Sequence, residues 1–336
     1  MFVLTKNAWW HEENEALGIM NAVSRSISRL ELAQAGVIPN VRNDPTLLVG
    51  SDFGGTHRKS PYETIGILLA GSESIEPWSL RQMMFREKFL PDGRRVSYKG
   101  LNDRTKFEAL PRFLDIANSI NGILLIILID KRLGSIFSEN SHAAHTDIEP
   151  SFLRSWSPPT IERMLRITWF TGILLRGLSV SGQNLLWFID QDDIAANEKR
   201  HRELVECFKL VSSHCLQHQL GHCRIGTTAS DNGNRQVEDL AALPDLALGA
   251  WGDVLPRMVA DGLLSNTRLS FPPPSDLKPK TRRILDWFSD NSQPLRRATI
   301  ILDSSPTSKK CRISSVIMHG TRDFTPPNNP SIKISS

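Results

Sequence analysis

Three aspartates in this sequence stand where an α/β fold would expose them. Asp52 follows Leu47-Leu48-Val49, Asp190 closes Leu185-Leu186-Trp187-Phe188-Ile189, and Asp245 lies in Pro244-Asp245-Leu246-Ala247-Leu248-Gly249-Ala250. A carboxylate at the end of a buried strand is costly unless it is paired, hydrogen-bonded or bound to a metal. Two of them on adjacent strands and a third on a facing helix would build a hard-oxygen site suited to Mg²⁺ or Mn²⁺. A pair of such ions activates water and stabilises the leaving oxygen in phosphodiester cleavage. The plain alternative is structural, with Asp190 capping the next helix and Asp52 serving the turn through Gly54-Gly55. Glu238, seven residues before Asp245, shares a face with it on an unbroken helix and is an auxiliary acid. Asp239 and Asp193 are further reserve ligands, and Lys99 stands ready to steady a phosphate.

These residues need elements to position them. Leu17, Met20, Val23, Ile27 and Leu30 recur at helical spacing and predict a helix over 15–36, stopped by Gly36. Apolar runs at 46–50 and 64–70, joined by a Gly-rich loop, predict a strand pair. Residues 89–99, with Asp92-Gly93 inside, predict a further hairpin or edge strand. A helix over 106–119 leads to a fully buried strand over 123–129. Residues 138–159 form a polar insertion with Pro150 and Pro158-Pro159 as breakers. A hydrophobic helix (160–177), a strand (184–190), a helix (195–217) and a strand (222–227) follow. A helical stretch over 235–254 is interrupted by Pro244, and beyond 271 helix potential survives around 284–288. Alternating helices and strands after an early hairpin predict an α/β fold, with a mixed sheet covered on both faces. The expected division is an N-terminal helical extension (1–45), a main domain (46–260), a helical appendage (261–306) and a weakly structured, flexible tail (307–336), in which Ile313, Val316, Ile317 and Met318 could form one edge strand.

Composition is permissive. The 336 residues are 40% hydrophobic and 23% charged, with a net charge of +4, which allows a nucleic-acid partner without arguing for one. The longest apolar run, Ile123 to Ile129, falls far short of the ~20 residues of a membrane helix. The start lacks an apolar signal region, so the expectation is a cytoplasmic protein with reduced thiols. His214 and His218, four apart near Cys207, Cys215, His222 and Cys223, raise a zinc reading. Gly221 would end the helix before His222 and no Cys-x-x-Cys accompanies it, so surface histidines and buried thiols are expected instead. Arg94, Arg95, Lys99, Arg104 and Lys106 form a basic neighbourhood, able to contact phosphates or simply to stay solvated. Trp9, Trp10, Trp156, Trp169, Trp187 and Trp251 are read as core.

Taken in order, these segments resemble a family of bacterial proteins with an RNase H-like fold. Its members open on an Asp-Glu-Ser-Gly strand end and close on a helix reading Gln-Leu-Ala-Asp-Leu-x-x-Gly-Ala. The resemblance runs from about Leu47 to Leu255. It rests on Leu48-Val49-Gly50-Ser51-Asp52-Phe53-Gly54-Gly55, Tyr62 to Leu69, Val96-Ser97-Tyr98-Lys99-Gly100, and the helix–strand step from Phe107 to Lys131. It implies an RNase H-like mixed sheet flanked by helices. It further implies a metal-dependent nuclease acting on DNA or RNA through Asp52, Asp190 and Asp245, with Mg²⁺ or Mn²⁺ as cofactor and protein partners in a larger system. Four positions depart from the family pattern. Phe53 replaces its second acid, Ser97 a glutamate, Ala242 the glutamine and Pro244 the alanine. The closing motif also has two registers, since Glu238-Asp239-Leu240-Ala241-Ala242 imitates Pro244-Asp245-Leu246-Ala247-Leu248. Gly249, four residues after Asp245, favours the second. The missing acids keep open a catalytically silent module that binds nucleic acid or serves assembly. Asp52-Phe53-Gly54-Gly55-Thr56 also resembles the phosphate loop of actin-like sugar kinases, although Thr56 to Tyr62 lengthen the connection and no second phosphate motif follows.

Overall fold

In the computed structural model the described residues are 8–57, 60–137, 153, 155–190, 193–231, 233–265, 268–271, 276–304 and 311–318. The early runs form β1 (Thr46–Gly54) and β2 (Tyr62–Gly71), antiparallel with Asp52 opposite Gly66. The uninterrupted apolar run is β3 (Gly122–Asp130), antiparallel to β2. On the other side of β1 lie β4 (Asn184–Ile189) and β5 (Cys223–Thr227), both parallel to it. The order β5-β4-β1-β2-β3, with β2 alone reversed, is an RNase H-like mixed sheet. Beyond β3 the sheet continues through β7 (Leu295–Ser304), parallel to β3, then β8 (Cys311–Met318), antiparallel to β7, and β6 (Arg268–Phe271), eight strands in all.

Both faces of the sheet are covered, so its central strand β3 is apolar at every position from Ile123 to Ile129. On β3, Ile123, Leu125, Ile127 and Ile129 join one core, while Leu124, Ile126 and Leu128 join the other, because successive side chains leave a strand on opposite sides. The first core is roofed by α1 (Ile19–Ala33), α4 (Pro158–Leu178) and α5 (Glu198–Cys215). The second is roofed by α2 (Ile75–Phe89), α3 (Arg104–Ala117), α6 (Gln236–Ala260) and α7 (Pro279–Ser289). Asp103 and Asn197 cap α3 and α5, accepting hydrogen bonds from the amides of Lys106 and Arg200 at 3.0 Å each. No helix among the described residues is long and apolar enough to cross a membrane.

Several sequence expectations are corrected. The expected hairpin over 89–99 is absent: residues 75–89 are helical as α2, and 91–98 carry no strand. The pattern of α2 hides itself because its buried face, Trp78, Gln82, Phe85 and Arg86, is half polar, while Leu80, Met83 and Met84 are exposed. Pro158 and Pro159 open α4 instead of breaking the chain, as proline's missing N–H costs nothing in a first turn. Pro244 does not interrupt α6, which runs 25 residues through both Pro244 and Pro256. Most of the insertion expected at 138–159 lies outside the described residues.

The domain boundaries also change. The N-terminal helix buries Met20, Val23, Ile27 and Leu30 in the first core, so it is part of that core and not an extension. The presumed appendage supplies β7, whose Ile300, Ile301 and Leu302 are fully buried. The presumed tail supplies β8 between β7 and β6, with Ser314 and Val316 buried; residues 305–310 and 319–336 lie outside the described residues.

The second core depends on helix α6 approaching closely. A Cβ on Gly50 would lie 3.5 Å from the Leu240 carbonyl oxygen, and one on Gly66 would lie 3.0 Å from Pro244 Cβ. On the other flank of α6, a Cβ on Gly249 would fall 2.0 Å from Cγ of Tyr98. Gly249→Ala should therefore displace Tyr98 and lower stability by about 1–3 kcal/mol despite the better helix propensity of alanine, read by urea unfolding. Truncation after Pro306 should expose the apolar edge of β7. Insoluble or unfolded protein is the expected result, and a truncated protein melting like the full chain would show β8 to be dispensable.

Candidate active site

Asp52 and Asp190 are brought together by strand register. The last ladder pair between β1 and β4 is Ser51 with Ile189, so the next residue on each strand is an aspartate, on neighbouring strands about 4.8 Å apart. Ser51 points away, into the first core, where its hydroxyl accepts a 2.7 Å hydrogen bond from Trp187 Nε1. Alternation then turns Asp52 toward α6. Asp245 faces it from that helix, and all three acids line one cleft of about 240 Å³ together with Arg95, Ser97, Thr228 and Glu238.

Each acid is oriented by a neutral donor. The Phe53 amide donates to Asp52 Oδ1 at 2.8 Å, and the Thr228 hydroxyl donates to Asp190 Oδ1 at 2.8 Å. The Tyr98 amide donates to Asp245 Oδ2 at 2.6 Å. Tyr98 is itself clamped between α6 and α7. Its hydroxyl meets Asp253 and Thr281 at 2.7 Å each, and Lys280 lies 4.3 Å over its ring. Burial holds Asp245 above the ordinary carboxylate range; the Tyr98 amide and the charge of Lys99 lower it, and the nearby charge of Asp190 raises it further. Two like charges facing one polar cleft are a fitting chemistry for a divalent cation, whose charge offsets both effects. Among the described residues, however, no three His, Cys, Asp or Glu side chains are gathered into a ligand cluster. The acids surround the cleft without closing on a common point.

The reserve residues part ways. Glu238 lines the cleft but is gripped by two guanidiniums, Arg95 at 2.5 Å and Arg235 at 2.6 Å. Asp239 does not reach the cleft. It is fully buried toward α2, where Arg86 holds both carboxylate oxygens and Gln82 donates at 2.6 Å. Of the two acids, Asp245 is the one that lines the cleft. Asp193 is exposed and pairs with Arg163 at 2.9 Å, outside the cleft lining. Lys99 is exposed on the turn beside Tyr98, near enough for its charge to act on Asp245. Sequence reasoning missed Tyr98 and Thr228 as orienting groups and Arg95 as a lining residue. Only Arg95 carried a signal, as part of the basic run.

The two missing acids are not equivalent. Phe53 packs against the first core with the Arg163 guanidinium 4.6 Å over its ring, on the opposite side of the sheet from the cleft. Its replacement of an acid therefore takes no ligand from this site. Ser97 does line the cleft, and there the carboxylate is absent. The His and Cys residues are dispersed. Cys207 and Cys215 are buried, with burial pushing both thiols up to about 12, and His214 and His218 bond to the Leu210 carbonyl and the Ser179 hydroxyl.

No protein-family model matches the chain, and no curated protein matches it either. A search of solved structures finds the crystal structure of the ribonuclease H2 from Pyrococcus horikoshii OT3, at 12% identity and a TM-score of 0.33, covering 75% of this chain and 92% of that one. So slight a likeness carries no argument about the site.

The contrast between Asp239 and Asp245 is testable by melting. Asp239→Asn should destabilise by about 3–5 kcal/mol, because it leaves a buried Arg86 without its counter-charge. Asp245 behaves in the opposite sense. Its folded-state pKa is raised above the ordinary 3.8, so the folded protein binds this proton more tightly than the unfolded chain. Its contribution to stability then falls as pH rises from the ordinary value through the raised one. Asp245→Asn should remove that slope and leave metal-free stability near neutral pH unchanged or higher. A large loss of stability for Asp245→Asn at neutral pH would show a structural acid instead.

Proposed function

We propose that this chain is a metal-dependent nuclease that hydrolyses phosphodiester bonds of DNA or RNA. The observation that carries the reading is the convergence of Asp52, Asp190 and Asp245, from two adjacent strand ends and a facing helix, on one cleft. Asp52, Asp190 and Asp245 would hold Mg²⁺ or Mn²⁺, with Glu238 as an auxiliary acid. When bound, the ion supplies Lewis-acid polarisation of the phosphate and an activated water. The protein's own part is positioning. Register fixes Asp52 beside Asp190, Thr228 orients Asp190, and the Tyr98 clamp fixes Asp245. Lys99 and Arg95, exposed at the rim, would meet the phosphate backbone of the strand being cut.

A second reading is a catalytically silent module that binds nucleic acid or serves assembly with protein partners. It is favoured by Ser97, which leaves the cleft one carboxylate short, and by acids not drawn into a cluster. The two readings separate cleanly. Under the first, wild-type protein cuts DNA or RNA with Mg²⁺ or Mn²⁺, and Asp52→Asn abolishes cleavage while the protein melts at or above the wild-type temperature. The swap keeps the side chain's size and removes only the charge that would hold the cation. If wild type cuts neither substrate with either ion, and its melting ignores both ions, the nuclease reading fails. Binding of a labelled oligonucleotide without cleavage would then establish the silent module.

A further inference from the structure

The strands that carry acids at one end present arginines at the other. Arg42 lies just before β1 and Ser179 just after α4, where Thr46 pairs with Asn184 at the start of both strands. Between them opens a second cleft, of about 250 Å³, lined by Trp10, Arg42, Arg176, Ser179, Gln217 and His218. It lies at the opposite end of β1 and β4 from Asp52 and Asp190, so it shares no residue with the acidic cleft.

Among the described residues its cations have no carboxylate bonded to them. Arg176 is only 4% exposed. Its Nη1 donates to the Cys215 carbonyl at 2.7 Å, while its buried Nη2 has no hydrogen-bond partner among the described residues. Arg42 donates to the Gly177 carbonyl at 3.1 Å, and burial lowers its pKa. Among the described residues neither guanidinium forms an ion pair. The nearest carboxylate acting on Arg42, Glu31, is already engaged by the amides of Ala8 and Trp9 at 2.7 and 3.1 Å. A buried guanidinium donor left unmet is destabilising, and an anion in the cleft would answer both its charge and its hydrogen-bonding capacity. Ser179 donates to the Leu175 carbonyl at 2.6 Å, so at 2.8 Å it accepts from His218 Nε2, which fixes that ring at the cleft wall.

The rim is aromatic and rigid. Trp10, expected in the core, is instead 52% exposed, yet its backbone amide is held on the Gly177 carbonyl at 2.9 Å. Trp9 is buried directly against Gly177, where a Cβ would lie 2.4 Å from its ring, so the segment carrying Trp10 is fixed in place. An exposed indole held beside two unpaired guanidiniums suits a ligand with a phosphate at one end and a flat ring at the other.

We propose that this cleft is a binding site for a nucleotide, its phosphate on Arg42 and Arg176 and its base against Trp10, independent of the acidic cleft. The probes are adenosine monophosphate, inorganic phosphate and adenosine, titrated calorimetrically into Asp52→Asn protein in EDTA. That protein and that buffer remove divalent-ion binding at the acidic cleft, so the outcome does not depend on the nuclease reading. Adenosine monophosphate should bind saturably, inorganic phosphate more weakly, and adenosine not detectably. Arg42→Gln should weaken adenosine monophosphate binding by about tenfold or more, the loss of one charge-assisted contact. Trp10→Ala should weaken adenosine monophosphate while leaving inorganic phosphate unchanged. Arg176→Met is a third variant, read only if it melts cooperatively. Absence of saturable binding by both anions, or undiminished binding in Arg42→Gln, overturns the site. Equal affinity for phosphate and adenosine monophosphate overturns the nucleotide assignment.

Discussion

The close seating of α6 across β1 and β2 is the constraint on which the acidic cleft depends. Gly50 admits the backbone of the helix at Leu240, and Gly66 admits Pro244. Each absent side chain lets helix and sheet approach further than an ordinary Cβ allows. The approach sets the depth of Asp245 relative to Asp52 across the cleft. Gly249 then admits Tyr98 on the helix's outer flank, and the Tyr98 amide turns the Asp245 carboxylate inward. Three glycines, dispersed in sequence, thus shape one wall, one floor and one side chain orientation.

Charge is handled differently on adjacent turns of the same helix. Asp239 is sealed from water and fully answered by Arg86 and Gln82, which fastens α6 to α2. Glu238, its neighbour, turns to the cleft and is held by two arginines. Asp245, two turns on, has a backbone amide as its close donor and stays partly buried with a raised pKa. Buried ion pairs secure a structure through the penalty of separating them. A carboxylate left protonation-sensitive inside a cleft is instead the kind of group found where chemistry or binding takes place.

β1 and β4 act as a rod with unlike ends. Their carboxyl ends carry Asp52 and Asp190, and their amino ends border Arg42, Arg176 and Trp10. The rigidity of a sheet buried on both faces separates the two clefts and prevents either group of charges from neutralising the other. The same two-sided burial explains why β7 and β8, drawn from the end of the chain, are integral to the fold. Without them β3 would be an apolar edge strand open to water.

The sequence alone determined the periodic elements. The β1–β2 pair, β3, β4, α4 and α5 are legible because apolar spacing and length report directly on burial, and Asp190 stood out because an acid rarely closes an apolar run without cause. What escaped was decided by long-range partners. The α2 helix was hidden because the charge that answers its buried Gln82 and Arg86 is Asp239, more than 150 residues away. Strand β8 was only half legible, as an edge strand that Ile313, Val316, Ile317 and Met318 allow, because its serines are buried by neighbouring elements and not by their own hydrophobicity. Phe53 looked like a lost ligand until pleating placed it on the far face. Asp239 and Asp245 looked interchangeable until the angle around α6 assigned one to Arg86 and the other to the cleft. Local pattern records which residues avoid water. Which buried polar groups meet one another depends on topology, since only the folded chain brings partners so distant in sequence within hydrogen-bonding reach.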